Sequence, residues 1–138
     1  AGLHSSNIIC VAAAADPGCP WVATGAVDRV ITLSDLSSGK PVWTSARRGG
    51  TVLSLALHPK DPLLILSGDM NGEVVLTRAA PIRVADGAAE TEPEPEPELA
   101  PEAPLAKFHE HTKFVVRVAW SPDATRFASA SYDKSVCV

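Results

Sequence analysis

Three residue types that can form a hydrolytic catalytic triad occur near the end of the chain. They are His111, Ser129 and Asp133. In serine hydrolases such a trio supplies a nucleophile, a base and a carboxylate that orients the base. The sequence contains no Gly-x-Ser-x-Gly segment of the kind that exposes a nucleophilic serine on a sharp turn. We therefore expect no catalytic residues and a structural use of these polar side chains.

Histidine and cysteine side chains are possible metal ligands. His58 and His109 have no second ligand at the spacing of a metal site, so we expect neither a metal nor another cofactor. Cys10, Cys19 and Cys137 include no Cys-x-x-Cys pair. An odd number of cysteines at such spacing favours small, reduced hydrophobic residues, as in cytoplasmic or nuclear proteins.

Charge is distributed unevenly along the chain. The formal net charge is −4, but residues 86–102 contain seven acidic residues and neither lysine nor arginine. The remainder has nine acidic residues against twelve basic ones. This mild positive balance is too weak to predict nucleic acid as a partner. No apolar run reaches the roughly 18 residues that a membrane-spanning helix needs, so we expect no membrane association.

The last thirty residues predict three short β-strands. Residues 114–120 alternate in polarity, a Ser-Pro-Asp turn follows at 121–123, and residues 126–131 and 135–138 form two further runs. Two earlier segments repeat this order. The three segments align on a turn proline and on a polar residue 11 or 12 positions later. These pairs are Pro17 and Asp28, Pro59 and Asn71, and Pro122 and Asp133.

A period near 42 residues with four strands per unit is typical of a β-propeller. We therefore predict an all-β fold, an incomplete propeller arc of about three four-stranded blades. Blade 1 spans 2–46, blade 2 spans 47–78 with 104–110, and a truncated blade 3 spans 111–138. Residues 79–103 contain alternating Glu and Pro, which cannot form a packed strand, so we predict a disordered acidic insertion there.

The chain resembles the WD40 repeat family. His111 stands where that family has its Gly-His pair, residues 121–123 match the usual turn after the first strand, and residues 129–133 match the second strand and its turn. The resemblance covers the chain outside the insertion and implies much about fold but little about function. We expect the three tryptophans to pack between blades: Trp21, Trp43 and Trp120.

In that family, a buried His, a Ser or Thr, an Asp and a Trp form a hydrogen-bonded set in each blade. By position, the resemblance implies eight blade-locking residues here: His4, Thr24 and Asp28 in blade 1, Ser67 and Asn71 in blade 2, and His111, Ser129 and Asp133 in blade 3. Arg48 stands at the His position of blade 2, while Ser34 and Thr77 stand at the Trp positions of blades 1 and 2. Blade 2 should therefore be the least tightly locked.

The resemblance also implies a non-catalytic scaffold that binds other proteins or peptides within a larger complex. We predict partner contacts in the loops, at Arg47, Arg48, Lys113, Tyr132 and Lys134. Three units cannot close a ring, which typically takes four to eight blades, so we expect the other blades to come from sequence outside these residues. Two alternatives remain: a propeller-based enzyme, and a module whose acidic insertion docks onto a basic partner.

Overall fold

The chain folds into short β-strands. A computed structural model describes residues 4–14, 18, 20–45, 47–79 and 105–138. Within these ranges it contains eleven strands and no helix. The strands are β1 (Ile8–Ala13), β2 (Trp21–Ala26), β3 (Ile31–Asp35), β4 (Pro41–Thr44), β5 (Val52–Leu57), β6 (Leu64–Asp69), β7 (Val74–Arg78), β8 (Ala106–Phe108), β9 (Val115–Trp120), β10 (Phe127–Ser131) and β11 (Val136–Cys137).

The strands form three antiparallel sheets, which we call blades 1, 2 and 3. Their strand orders are β1-β2-β3-β4, β5-β6-β7-β8 and β9-β10-β11, each in chain order. The first strands lie side by side, since β5 contacts both β1 and β9. This arrangement confirms the predicted all-β arc of propeller blades.

The acidic insertion connects β7 to β8 in blade 2. Ala79, its first predicted residue, is buried, and its N–H donates to the carbonyl of Leu63 at 2.8 Å, so this residue packs with blade 2. The rest of the predicted insertion falls within residues 80–104, which lie outside the described residues.

The hydrophobic core lies between neighbouring blades. One cluster joins blades 1 and 2 through buried side chains that include Leu33, Val52 and Ile65, and Trp21 and Trp43 pack against it. A second cluster joins blades 2 and 3 and consists of Leu66, Val74, Val115 and Val118, with Trp120 packed against it. All three tryptophans therefore contact the inter-blade core, as predicted.

The first strand of each blade carries a β-bulge at the same place. Pairing shifts by one residue between Ile8 and Cys10 in β1 and between Val52 and Ser54 in β5. In blade 3, Ser131 pairs with Val115, whereas Ala130 pairs with Arg117. A bulge bends its strand and increases the local twist, so the blades share this curvature as well as their strand order.

Hydrogen bonds also join blades 2 and 3. The N–H of Val118 donates to Ser54 Oγ at 3.0 Å, and Trp120 Nε1 donates to the carbonyl of Ala56 at 3.3 Å. His58 Nδ1 accepts from two backbone N–H groups of its own turn, so its Nε2 carries the hydrogen and donates to the carbonyl of Ala124 at 3.2 Å.

Two glycines permit close contact between blades. A Cβ atom on Gly25 would lie 2.6 Å from Val52 Cγ1, and one on Gly68 would lie 2.5 Å from Val115 Cγ1. Both glycines hold the same position in the second strand of their blade, opposite the first strand of the next blade. A larger residue would push the blades apart.

We predict that Gly68→Ala lowers the free energy of unfolding by about 1–3 kcal/mol, because the added methyl group overpacks a filled core. Urea denaturation monitored by tryptophan fluorescence measures the change. Gly49→Ala is the matched control, since its new Cβ would meet nothing closer than the Asn71 amide nitrogen at 3.4 Å. Equal losses in the two variants would contradict this explanation.

Candidate functional site: locked turns and the rim they form

In blade 1, a histidine joins the second strand to the turn that follows it. His4 Nε2 lies 2.8 Å from Thr24 Oγ1, and His4 Nδ1 lies 3.1 Å from Asp28 Oδ2. The carboxylate can only accept, so Nδ1 carries the hydrogen in that contact. Asp28 also accepts from the N–H groups of Ser5 and Val30 at 3.0 and 3.1 Å. The structure thus brings together the three residues predicted for blade 1.

Blade 3 repeats this geometry. His111 Nε2 lies 2.8 Å from Ser129 Oγ, and Nδ1 lies 3.0 Å from Asp133 Oδ2. Asp133 accepts from the N–H groups of Thr112 and Ser135 at 3.0 and 2.8 Å, and also from the Ser135 hydroxyl. The histidine side chain is 1% exposed. The structure again brings the predicted trio together.

These hydrogen bonds hold both carboxylates in the charged form. Burial acts to raise the pKa of Asp28, but donors from Ser5, Val30 and His4 outweigh it and hold the pKa below its ordinary value. The hydroxyl of Ser135 is the largest cause that lowers the pKa of Asp133; burial opposes it, and N–H donors from Thr112 and Ser135 add to it. Each aspartate therefore acts as a fixed anion around which a turn is built.

The trio of blade 3 has the residue types of a hydrolase triad, and an apolar cleft of about 450 Å³ lies beside it, lined partly by Phe108, Phe127 and Cys137. Two features favour a structural role. The same geometry recurs in blade 1 with Thr24 in place of a serine. The N–H groups that converge on Asp133 are already used by its carboxylate, whereas a hydrolase directs such donors at the developing oxyanion.

In blade 2, a different residue, Asp69, provides the carboxylate that accepts hydrogen bonds from the turn. Asp69 is 4% exposed, and its Oδ1 accepts from the N–H groups of Asn71 and Glu73 at 2.9 and 3.0 Å. The N–H of Glu73 corresponds in register to those of Val30 and Ser135, which donate to Asp28 and Asp133. In all three blades, a carboxylate therefore accepts from the same backbone position.

In blade 2, the predicted locking residue Asn71 lies apart from the carboxylate that accepts from the turn. Its side chain is exposed and lies beside Gly49 and Gly50, and Asp69 supplies the carboxylate from two residues earlier. The hydroxyl of Ser67 is buried and donates to the carbonyl of Val75 at 3.3 Å, as the Thr24 hydroxyl does to Thr32 in blade 1.

Arg48 occupies the position that a histidine holds in the other blades. Its Nη2 donates to Thr77 Oγ1 at 2.7 Å, and Thr77 is fully buried. Its backbone N–H donates to the carbonyl of Arg29 in blade 1 at 2.7 Å. Arg48 was also predicted as a partner contact, but the structure directs its guanidinium into blade 2 and away from the exposed loop residues.

The locked turns and the segments before β5 and β9 lie along one edge of the arc. We call this edge the turn rim and define it as residues 27–30, 47–51, 70–73, 109–114 and 132–135. The same backbone hydrogen bond occurs in each blade, from Val27 to Asn7, from Met70 to Thr51 and from Tyr132 to Phe114, at 3.0, 3.0 and 3.1 Å.

Neighbouring parts of the turn rim contact one another. Arg48 reaches Arg29, as described above, and a Cβ on Gly72 would lie 2.5 Å from the carbonyl oxygen of His111. Four of the five predicted contact residues are exposed on this rim: Arg47, Lys113, Tyr132 and Lys134.

Sequence reasoning missed Asp69, Val27 and Met70. The alignment of the three segments did point to Val27 and Met70, because each directly precedes the polar turn residue of its blade, as Tyr132 does in blade 3. No comparable signal pointed to Asp69, because the equivalent residues of the other blades, Ala26 and Ser131, are not acids.

Several other predictions concern metal, thiol and membrane chemistry. Among the described residues, no group of three or more His, Cys, Asp or Glu lies together at metal-binding distance. Cys10 and Cys137 are free, and burial raises the pKa of Cys10 to about 11; Cys19 lies outside the described residues. In the described part of the chain, no helix is long and apolar enough to span a bilayer.

Three packed sheets with a repeated bulge and turn-locking hydrogen bonds define the chain as a β-propeller-type repeat protein. Its residues 102–138 match the family model described as "WD domain, G-beta repeat". The chain is similar to the WD repeat-containing protein VIP3 of Arabidopsis thaliana, with 27% identity over 135 residues, which is 98% of this chain and 39% of the relative. The chain thus spans about two fifths of that relative's length. Together, the fold and these matches show that the chain is similar to WD40 repeat proteins.

We predict that Asp69→Ala lowers the free energy of unfolding by about 1–3 kcal/mol, because two backbone N–H groups lose their buried acceptor. Asn71→Ala is the control and should change stability little, since this side chain is exposed. Chemical denaturation of both variants gives the comparison. A larger loss for Asn71→Ala would return the locking role to the asparagine.

We predict acid sensitivity from Asp28 and Asp133. Their pKa values in the folded chain lie below the ordinary 3.8, so the stability that they contribute is present above that pH and is lost as the pH falls below it. Between about pH 5 and pH 3, the free energy of unfolding measured by urea denaturation should fall less for Asp133→Asn than for the wild type. Ser135→Ala should lie between them. If the free energy of unfolding fell equally with pH in the wild type and in Asp133→Asn, the Asp133 carboxylate would not be a source of the acid sensitivity.

Proposed function

We propose that the chain is a non-catalytic scaffold that holds other proteins or peptides within a larger complex. Similarity to WD40 repeat proteins supports a protein-interaction role in general. The observation that carries the specific proposal is the turn rim, where buried hydrogen-bond networks fix three successive turns while residues such as Arg47, Lys113 and Tyr132 stay exposed. Fixed turns bind with little loss of conformational entropy.

The acidic insertion supports a second candidate function, docking onto a basic partner. Seven acidic residues within 86–102, without a lysine or arginine, give this segment a strong local negative charge. Basic surfaces would attract it through long-range electrostatics that salt screens. The propeller-based enzyme has no such supporting observation.

We also propose that the protein acts in the cytoplasm or nucleus, independently of membranes and nucleic acids. The free thiols of Cys10 and Cys137 support this, because reducing compartments keep such residues unpaired. The half-buried Sγ of Cys10 contacts the carbonyl oxygen of Val52 at 3.6 Å, which suits a packing role for the thiol.

Co-purification tests the scaffold function and separates it from the acidic-insertion alternative. We predict that a double variant on the turn rim, Met70→Ser with Tyr132→Ser, loses proteins that the tagged wild-type chain recovers. The matched control carries Leu36→Ser and Leu105→Ser, two equally exposed apolar residues away from the rim, and should retain them. A third variant lacks residues 88–102.

Quantitative mass spectrometry compares the recovered proteins. Loss in the rim variant alone supports the scaffold proposal. Loss only in the deletion variant, relieved by added salt in the wild type, assigns binding to the acidic insertion. Equal recovery by all variants would overturn both functions, and circular dichroism checks that each variant keeps its β-sheet content.

A further inference from the structure

Exposed apolar residues recur at one position of the turn rim. Val27, Met70 and Tyr132 are 45%, 56% and 63% exposed, and each makes the same backbone hydrogen bond in its blade. The ring of Tyr132 stacks on Phe114 with centroids 4.7 Å apart. Single exposed apolar residues are common on any protein surface, but their recurrence in three blades along one edge indicates a shared use.

The charges on the rim are sorted by sign. The carboxylates of Asp28, Glu73 and Asp133 face inward, with side chains only 7%, 11% and 10% exposed. Within the described part of the rim, exposed cations outnumber exposed carboxylates; the exposed charged residues are Arg29, Arg47, Lys113 and Lys134 against Glu110. A partner that contacts the rim directly therefore meets more exposed cations than exposed carboxylates.

Two of these cations occupy a strained backbone position. Arg29 and Lys134 have φ values of 68° and 71°, in the left-handed region where Gly72 stands in blade 2 with φ of 86°. Glycine adopts this conformation without strain, whereas a residue with a side chain does not. The presence of a long cationic side chain at a site suited to glycine points to a surface function for the charge.

We propose that the turn rim binds an extended, acidic segment of another protein that carries apolar side chains between its Asp and Glu residues. The proposal rests on the scaffold function and specifies the chemistry of the partner. The apolar side chains of the segment pack on Val27, Met70 and Tyr132, while its carboxylates pair with the rim cations. Apolar anchors supply most of the binding energy in such contacts, and charge complementarity supplies specificity and the association rate.

The acidic insertion of this chain is a poorer occupant of the rim. It follows β7, which begins at the rim and ends at Arg78 on the opposite edge of blade 2. Residues 86–102 also contain a single large apolar side chain, Leu99. Both features favour a segment from another protein.

Fluorescence anisotropy with four labelled peptides of 15 residues tests the proposal on the wild-type chain. One peptide alternates Glu with Leu and Phe. The second replaces Glu with Lys, the third replaces Leu and Phe with Ser, and the fourth copies residues 88–102. The first peptide should bind more tightly than each of the others by about tenfold or more, since both apolar anchors and charge contribute. Added salt should weaken its binding.

Variants then locate the binding surface. Tyr132→Ala should weaken binding of the first peptide about tenfold, as expected for loss of an aromatic anchor. Lys134→Gly should weaken it about threefold, as expected for one exposed ion pair, while thermal stability stays equal or rises because the backbone strain is relieved. The controls Leu36→Ala and Lys40→Gly change exposed residues near the opposite end of β3 and should bind as the wild type does.

The outcomes separate the two proposals. Three results would each overturn the proposal of an acidic partner segment. They are preference for the Lys peptide, preference for the peptide of residues 88–102, and no binding of any peptide. If the rim variant still lost proteins in the co-purification experiment, the scaffold function would stand without that partner. Tight binding that is insensitive to Tyr132→Ala and Lys134→Gly would place the peptide elsewhere and also overturn the proposal.

Discussion

A single sheet of this chain cannot bury its own apolar side chains, and this constraint governs the arrangement of the blades. Both core clusters lie between sheets: one contains Leu33 of blade 1 and Ile65 of blade 2, and the other contains Leu66 of blade 2 and Val118 of blade 3. The close approach at Gly25 and Gly68 follows from the same need. Because each cluster draws on two blades, the loss of one blade would expose apolar surface on its neighbour.

A second constraint acts at the turns. The backbone N–H groups of Val30, Glu73 and Ser135 end the turns and need acceptors, and each finds a carboxylate. In blades 1 and 3, a buried histidine also ties that carboxylate to the second strand. Blade 2 has no such histidine, and Arg48 joins the incoming segment to β7 through Thr77 instead. Whether blade 2 is less tightly locked stays a prediction.

The strands, their turns and the inter-blade tryptophans were predictable because each depends on local sequence or on a repeat period. The residues that lock blade 2 were not. Aligning the three segments assumes that the carboxylate in each blade comes from the same sequence position. In blade 2, however, the carboxylate of Asp69, two residues before Asn71, accepts from the turn N–H of Glu73. The length of Arg48 likewise lets it reach Thr77 from a loop. The bulges escaped prediction because they depend on strand pairing, which no single segment encodes.

The locking of the turns also determines the chemistry of the exposed surface. The carboxylates of Asp28 and Asp133 accept hydrogen bonds from backbone N–H groups and from histidine, and their side chains are little exposed. The cation next to each of them, Arg29 or Lys134, has no comparable inward role and is exposed. The net charge of −4 is dominated by the acidic insertion and does not describe the charges exposed at this edge. The hydrogen bonds that lock the turns thus leave mainly cations among the exposed charged side chains of the described rim, which a partner can contact directly.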